Sequence, residues 1–197
     1  MKRLHTLAPM TEEHGEVRDE QLDAEREARR QLALAQIRQW PDPVLKMPAR
    51  AVEDFDADLA RLVERMKALM YDANGVGLAG NQAGVLRRVF VFRHGEEEEP
   101  VAAVNPRIAS PSEELATEDE GCLSLQRVLV PVERHVSLTL EAQDVEGRPL
   151  RLELSGLGAR VVQHELDHLD GVLILQRTTP EARREAMATL RPQPILG

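Results

Sequence analysis

Two histidines and a glutamate in one short run are the residues of this sequence best suited to chemistry. His164-Glu165-Leu166-Asp167-His168 has the pattern H-E-x-x-H. On a helix, residues four apart lie on one face, so both imidazoles can reach one metal ion. Glu165 can then accept a proton from a water molecule that the metal activates. The pattern therefore predicts a metal-dependent hydrolytic site on a helix.

The third ligand of such a site must come from elsewhere, because a catalytic metal takes three protein ligands and keeps one position open. In one class of metalloproteases, a histidine six residues after His168 supplies it, but Ile174 stands there. In another class, a glutamate of a following helix supplies it, which makes Glu181 or Glu185 a candidate. Cys122 is a further candidate, and its thiolate favours a softer or mixed-ligand metal. The spacing alone leaves the glutamates and the cysteine open.

Cys122 is the single cysteine of the 197 residues, so no internal disulfide can form. A lone cysteine commonly packs as a small buried hydrophobe. This one lies in Glu120-Gly121-Cys122-Leu123-Ser124, among acidic and turn-forming residues rather than inside an apolar strand. Its position favours a ligand over a packing residue.

The composition excludes several classes of function. Acidic residues outnumber basic ones by 34 to 25, which gives a formal net charge of −9, and only 3% of residues are aromatic. Nucleic-acid binding needs clustered Lys and Arg together with stacking platforms, so we expect no direct contact with nucleic acid. No run approaches the roughly 20 apolar residues of a membrane span, and residues 1–20 lack the apolar run of a secretory signal. We therefore expect a cytoplasmic protein that has no membrane segment.

The elements that position these residues follow from charge and apolar spacing. Residues 1–35 are predicted to form a charged arm, helical or disordered, with order beginning near Leu32, and residues 36–197 the catalytic domain. Helical spacing covers residues 56–73, 156–169 and 180–190. Strand patterns cover residues 85–92, 101–104, 128–132, 136–140 and 150–154, the last two joined as a hairpin. Strands in the middle of the chain, joined by hairpins, predict an α+β fold with antiparallel sheet.

Three segments together resemble the peptide deformylase family. Residues 75–82 (GVGLAGNQ) resemble its G-x-G-x-A-A-x-Q motif, with Gly80 in place of the second alanine. Residues 120–124 match E-G-C-L-S, and residues 163–168 match Q-H-E-x-D-H. The resemblance covers about residues 37–177. It implies the compact deformylase fold, in which antiparallel sheets pack around the central H-E-x-x-H helix.

The resemblance also implies a metal and its ligands. Cys122, His164 and His168 would hold one divalent ion, with Fe²⁺ favoured and Zn²⁺, Ni²⁺ or Co²⁺ able to occupy the same ligands. Glu165 would act first as a base and then as an acid. The implied reaction is hydrolysis of the N-formyl group from the formyl-methionine of nascent polypeptides, which releases formate.

Further residues are expected to contact the substrate. Gln82, through its amide, and Leu123, through its backbone N–H, would stabilise the negative charge on the carbonyl oxygen. Gly77 would let an extended peptide approach the backbone closely. The candidates for the methionine pocket are Val76, Leu157 and Val161.

Two other functions stay open at this point. A zinc endopeptidase built on H-E-x-x-H with a downstream glutamate would cleave internal peptide bonds. A non-catalytic or altered-substrate relative would keep the fold and bind peptides. Transient contact with the ribosome is a further open question, although the acidic balance of the arm disfavours contact with phosphate.

Overall fold

The computed structural model describes residues 13–95 and 99–191, which form four helices and seven strands. The helices are α1 (Glu13–Gln36), α2 (Ala57–Asp72), α3 (Gly156–Leu169) and α4 (Pro180–Leu190). The strands are β1 (Gly77–Ala79), β2 (Val89–Phe92), β3 (Val101–Ala109), β4 (Leu115–Cys122), β5 (Leu125–His135), β6 (Ser137–Gln143) and β7 (Pro149–Ser155). Short 3₁₀ turns cover Pro43–Lys46 and Ile174–Gln176.

The strands form two antiparallel sheets. Five of them pair in the order β1-β2-β3-β6-β7, and β4 pairs with β5 as a separate hairpin. Helix α3 contacts strands of both sheets. The predicted α+β fold, with antiparallel sheets around the H-E-x-x-H helix, is therefore confirmed.

Strand β2 of the five-stranded sheet is buried on both faces, which explains its continuous apolar run. Val89 and Val91 pack into the cluster that includes α1 and α2. Phe90 and Phe92 pack into a second cluster, which includes Val162 of α3. Because successive side chains of a strand point to opposite faces, a strand between two helical layers needs apolar residues at every position.

The apolar stripe of α2 is confirmed. Its buried residues are Leu59, Val63, Met66, Leu69 and Met70. Asp56 caps the helix, and its Oδ1 accepts a hydrogen bond from the N–H of Leu59 at 2.9 Å. The observed bounds lie one residue inside the predicted ones because Asp56 and Ala73 are the two caps.

The strand predictions were partly wrong. Only residues 89–92 of the predicted strand 85–92 belong to the sheet, because the preceding residues run beside Arg50 and pair with it. Strand β4 was not predicted, because its residues are acidic and largely exposed and so show no alternation of apolar and polar side chains. Strands β3 and β5 are longer than predicted, and β3 continues past a register shift at Asn105, where φ is 50°.

Helix α1 covers the described part of the N-terminal arm, and residues 1–12 lie outside the described ranges. The prediction that order begins near Leu32 is wrong, because helix α1 already covers Glu13–Gln36. Ala33 and Leu34, in its last turn, are buried against the cluster formed with α2, whereas residues 22–29 are exposed. None of the helices in the described ranges is long and apolar enough to cross a membrane. The boundary between an arm and a catalytic domain at residue 35 stays a prediction.

Candidate metal centre

Helix α3 presents His164 and His168 on one face, one turn apart. Their ring centroids lie 4.9 Å apart, with an angle of 68° between the ring planes. His168 is buried, and burial, with the charges of His164 and Arg134, lowers its pKa well below the ordinary value. Its ring is therefore neutral, which is the form that binds a metal ion.

Cys122 joins the two histidines from the end of β4. Its Sγ lies 3.3 Å from Nε2 of His168, and one ligand atom from each of Cys122, His164 and His168 lies within 4.8 Å of the others. The backbone N–H of Ser124 donates a hydrogen bond to the same Sγ, at 3.4 Å. One thiolate and two imidazoles at this spacing fit a single metal ion with an open position.

The glutamates of α4 lie away from this cluster. Glu181 is exposed and forms an ion pair with Arg184 at 3.0 Å, and Glu185 is exposed on the same helix. The structure thus brings the cysteine, and neither glutamate, to the two histidines.

Glu120 orients His164 from the side opposite the metal cluster. Its Oε2 lies 3.0 Å from Nδ1 of His164, which leaves Nε2 free to face the cluster. Arg134 donates two hydrogen bonds of 3.0 Å to the same carboxylate, and Arg160 donates a third of 2.9 Å. Burial alone would raise the pKa of Glu120, but the hydrogen bonds from His164 and Arg134 and the charge of Arg134 hold it at about 2. The carboxylate is therefore ionised and fixed in place.

The remaining polar residues of the H-E-x-x-H segment anchor α3 to β5. Gln163 accepts a hydrogen bond from the N–H of His135 at 3.1 Å and donates one to its carbonyl at 2.9 Å. Asp167 accepts a hydrogen bond of 2.6 Å from Arg134. The side of α3 that does not carry ligands is thus tied to the hairpin that supplies Cys122.

Replacing Glu120 with glutamine should weaken both the fold and the metal site. The change leaves Arg134 and Arg160 buried without their shared counter-charge, so we expect the free energy of unfolding to fall by about 3 kcal/mol. The loss of a charged partner for His164 should weaken metal affinity about 10- to 100-fold. Urea unfolding and competition with a chromophoric chelator measure the two effects.

The matched control is Glu118→Gln on the same strand. Glu118 also pairs with Arg160, at 3.1 Å, but its side chain is 65% exposed. Its replacement should therefore change the free energy of unfolding by no more than about 0.5 kcal/mol. Equal effects of the two variants would contradict the orienting role of Glu120.

Glu165 lies beside the cluster in a closed, apolar setting. It is 3% exposed, and its Oε2 has no hydrogen-bond partner among the described residues. Burial, with a further contribution from the charge of Glu120, raises its pKa to about 7. A carboxylate that titrates near neutrality can both accept and return a proton, so the position fits a general base that becomes a general acid.

Gln82 is fixed on the other side of Cys122. Its Oε1 accepts a hydrogen bond from the N–H of Ala79 at 2.8 Å, which orients the amide. Its Nε2 donates to Oγ of Ser124 at 3.1 Å and lies 3.6 Å from Sγ of Cys122. Leu123 occupies the turn between β4 and β5, where its carbonyl accepts a hydrogen bond of 3.0 Å from Gln39.

A groove of about 940 Å³ opens over the cluster. All the predicted site residues except the buried His168 line it. They are Val76, Gly77, Gln82, Cys122, Leu123, Leu157, Val161, His164 and Glu165. The volume lies at the upper end of the range for small-molecule sites and gives room for several peptide residues.

The two arginines that hold Glu120 were not among the predicted site residues. Arg134 carries a recognisable signal, because it continues the inward face of β5 after Val128, Val130 and Val132 at a period of two. Arg160 lies one turn before His164 and therefore on the same face of α3. A charged residue at a position that the apolar pattern directs into the core is the signal by which Arg134 and Arg160 could have been predicted.

A cysteine and two histidines beside a buried glutamate, at the foot of a peptide-sized groove, are typical of metal-dependent hydrolases. Residues 34–184 match the family model described as polypeptide deformylase, and the chain belongs to this family. It is 44% identical to peptide deformylase 1 of Corynebacterium glutamicum over 162 residues, which cover 81% of this chain and 96% of the relative.

The fold is similar to those of solved deformylase structures. The crystal structure of peptide deformylase from Thermotoga maritima aligns with a TM-score of 0.70 and 43% identity, covering 73% of this chain and 97% of that one. The crystal structure of the Ehrlichia chaffeensis peptide deformylase aligns with a TM-score of 0.74 and 30% identity, covering 78% and 93% respectively.

Proposed function

We propose that this protein is a hydrolase that removes the N-formyl group from the formyl-methionine of nascent polypeptides and releases formate. The observation that carries the proposal is the cluster of Cys122, His164 and His168 beside Glu165, in a chain of the peptide deformylase family. The proposed reaction is a step of protein biosynthesis, and the cytoplasm is where its substrate forms.

Cys122, His164 and His168 would hold the metal. A bound divalent ion supplies Lewis-acid chemistry, because it polarises a carbonyl and lowers the pKa of water towards neutrality. We propose Fe²⁺, with Zn²⁺, Ni²⁺ or Co²⁺ as alternatives that the same donors accept. The mixed thiolate and imidazole donor set supports a transition metal over Mg²⁺ or Ca²⁺, which prefer oxygen ligands.

Glu165 would move the proton. Its unpartnered Oε2 takes the proton from the attacking water and later delivers it to the amine nitrogen that leaves. The raised pKa of Glu165 supports this double role, because both protonation states are accessible near pH 7.

Gln82 and Leu123 would stabilise the charge that develops on the formyl oxygen. The fixed amide of Gln82 lies next to Cys122, and Leu123 directly follows the cysteine in the chain. Donors that are positioned in advance stabilise the transition state without the cost of reorganisation.

The methionine side chain would lie against Val76, Leu157 and Val161. All three line the groove, and Val76 and Leu157 stay exposed there although they are apolar. Exposed apolar residues in a concave site are typical of a pocket for an apolar side chain.

Residues 36–197 would form the catalytic domain and residues 1–35 an arm. The family match, which begins at residue 34, supports this division. Transient contact with the ribosome is part of the same proposal, since the formylated chain emerges there.

Formate release from formyl-Met-Ala-Ser tests the proposed function. We expect one formate per peptide from protein purified without oxygen, one bound metal ion per chain, and no cleavage of internal peptide bonds. Acetyl-Met-Ala-Ser serves as the substrate control. Internal cleavage without formate would indicate an endopeptidase, and binding without turnover would indicate a non-catalytic relative.

Gly77→Ala should lower kcat/KM for this peptide about 100-fold. A Cβ on Gly77 would lie 2.7 Å from Cδ and 2.9 Å from Cγ of Glu165, so the carboxylate must move away from the cluster. Displacement of a catalytic group by about 1 Å costs a rate factor of this size.

Gly121→Ala is the matched control for Gly77→Ala. Gly121 is next to Cys122, but a Cβ there would meet only Cδ2 of Leu129, at 3.2 Å, and the carbonyl of Val128, at 3.7 Å. This variant should change kcat/KM far less. Similar losses in both variants would show that Gly77 acts through general packing rather than through Glu165.

A further inference from the structure

One wall of the groove lies outside the family match. The matched region begins at residue 34, whereas Arg30 and Gln31 of α1 also line the groove. Helix α1 therefore adds polar surface to a site whose ligands all come from later in the chain. The groove extends beyond the metal cluster, so a peptide bound along it could reach this wall with residues that follow the formyl-methionine.

Arg30 is held against the groove with much of its hydrogen-bonding capacity unused. Its side chain is 37% exposed, while residues 22–29 are exposed. Its ion pair with Glu27 is long, at 3.5 Å, and Glu27 also accepts a hydrogen bond of 2.5 Å from Gln31. A guanidinium has five N–H donors, and Glu27 is the partner that Arg30 has among the described residues. Most of the donors are therefore available to a ligand in the groove as far as the described ranges show.

Arg127 reaches the groove from a bulge in β5. Cys122 pairs with Leu125 and Gly121 with Leu129, so the residues between have no partners on β4. Arg127 has a φ of 63°, a left-handed conformation that long side chains adopt rarely. Bulges and strained residues next to a site commonly redirect a side chain towards it. Within residues 13–95 and 99–191, no carboxylate forms an ion pair with Arg127.

The acidic residues that line the groove do not cancel these two charges. Glu120 is already paired with two arginines, and Glu165 is buried at the cluster. Asp119 is the exposed acid of the lining. Among the lining residues that are not buried, two arginines therefore stand against one carboxylate, and Glu27, which pairs with Arg30, lies outside the lining. This local balance contrasts with the formal net charge of −9 for the chain.

We propose that Arg30 and Arg127 select peptides with acidic side chains a few residues after the formyl-methionine. The inference rests on the proposed deformylase function and adds a substrate preference to it. Guanidinium groups bind carboxylates with paired, charge-assisted hydrogen bonds, which makes arginine suited to such selection.

Three amidated peptides test the preference: formyl-Met-Ala-Glu-Glu, formyl-Met-Ala-Gln-Gln and formyl-Met-Ala-Lys-Lys. At low ionic strength we expect kcat/KM to be about fivefold higher for the Glu peptide than for the Gln peptide, and lowest for the Lys peptide. The difference should lie in KM and should shrink at 0.5 M salt, where the screening length falls to a few ångströms (about 3 Å at 1 M).

Arg30→Gln and Arg127→Gln should each reduce the ratio of kcat/KM for the Glu peptide to kcat/KM for the Gln peptide from about fivefold to about twofold. Arg29→Gln is the matched control, since it removes the same charge from the adjacent position of α1 but does not line the groove. This control should keep the full ratio.

Equal kcat/KM values for the three peptides, with formate released from each, would overturn this inference and leave the proposed function intact. An undiminished, about fivefold preference for the Glu peptide in both Arg30→Gln and Arg127→Gln would also overturn it. The absence of formate from every peptide would overturn the proposed function, and this inference with it.

Discussion

Replacing Glu165 with glutamine should lower kcat/KM for formyl-Met-Ala-Ser about 10²- to 10⁴-fold, the range of general acid–base catalysis. Glutamine has nearly the same shape as glutamate but cannot accept a proton from water. In the native protein, Oε2 of Glu165 is buried without a hydrogen-bond partner in the described ranges, which leaves it available for proton transfer. The replacement therefore removes the group that transfers the proton and preserves the packing of the side chain.

Metal content should stay unchanged in this variant, because Glu165 is not among the grouped ligands. The unfolding midpoint should not fall, because glutamine removes a carboxyl whose charged form is disfavoured by burial. Formate release, metal analysis and a urea titration on one preparation separate the outcomes. Full activity of Glu165→Gln would contradict the proposed mechanism. A loss of metal in parallel with activity would instead show that Glu165 takes part in metal binding.

Replacing Cys122 with alanine should weaken metal affinity more than about 100-fold. Loss of a residue that only hydrogen-bonds to a ligand costs about 10- to 100-fold, and loss of a ligand itself should cost more. The remaining histidines, His164 and His168, offer only two donors, whereas a catalytic site takes three. Activity should fall with metal occupancy. Equilibrium dialysis against a series of metal concentrations measures the affinity directly.

Glu181→Gln and Glu185→Gln are the controls for the cysteine variant. Both glutamates lie on exposed positions of α4, and we expect neither change to alter metal affinity. If Cys122→Ala kept its metal while one glutamate variant lost it, the site would be that of a zinc endopeptidase. The comparison therefore separates two reaction types by their ligands alone.

The helices were predictable because their signals are local. The predicted bounds of α3 and α4 agree with the observed ones, and those of α2 differ by one residue at each end. Apolar spacing and capping residues act within a few positions of the chain, so the sequence shows them directly. Strand β4 gave no such signal, because its acidic residues are ordered mainly by pairing with β5.

The site was predictable only as far as its motifs reach. The segments around Gln82, Cys122 and His164 were found from the sequence, and the structure brings them to one groove. The hydrogen bonds from Arg134 and Arg160 to Glu120 join residues that are 14 and 40 positions apart in the chain. No local pattern encodes such a contact, and the same is true of the approach of Gly77 to Glu165.

The unequal support of the three ligands has a kinetic consequence. Two of the proposed ligands lie on α3, which contacts both sheets, so opening of that helix requires disruption of the core. The third, Cys122, lies at the end of a two-stranded hairpin. Local opening of a hairpin end costs less free energy than unfolding of a core helix. If Cys122, His164 and His168 hold a metal, the rate of its exchange in the folded protein should therefore depend on fluctuation of the hairpin end rather than of α3.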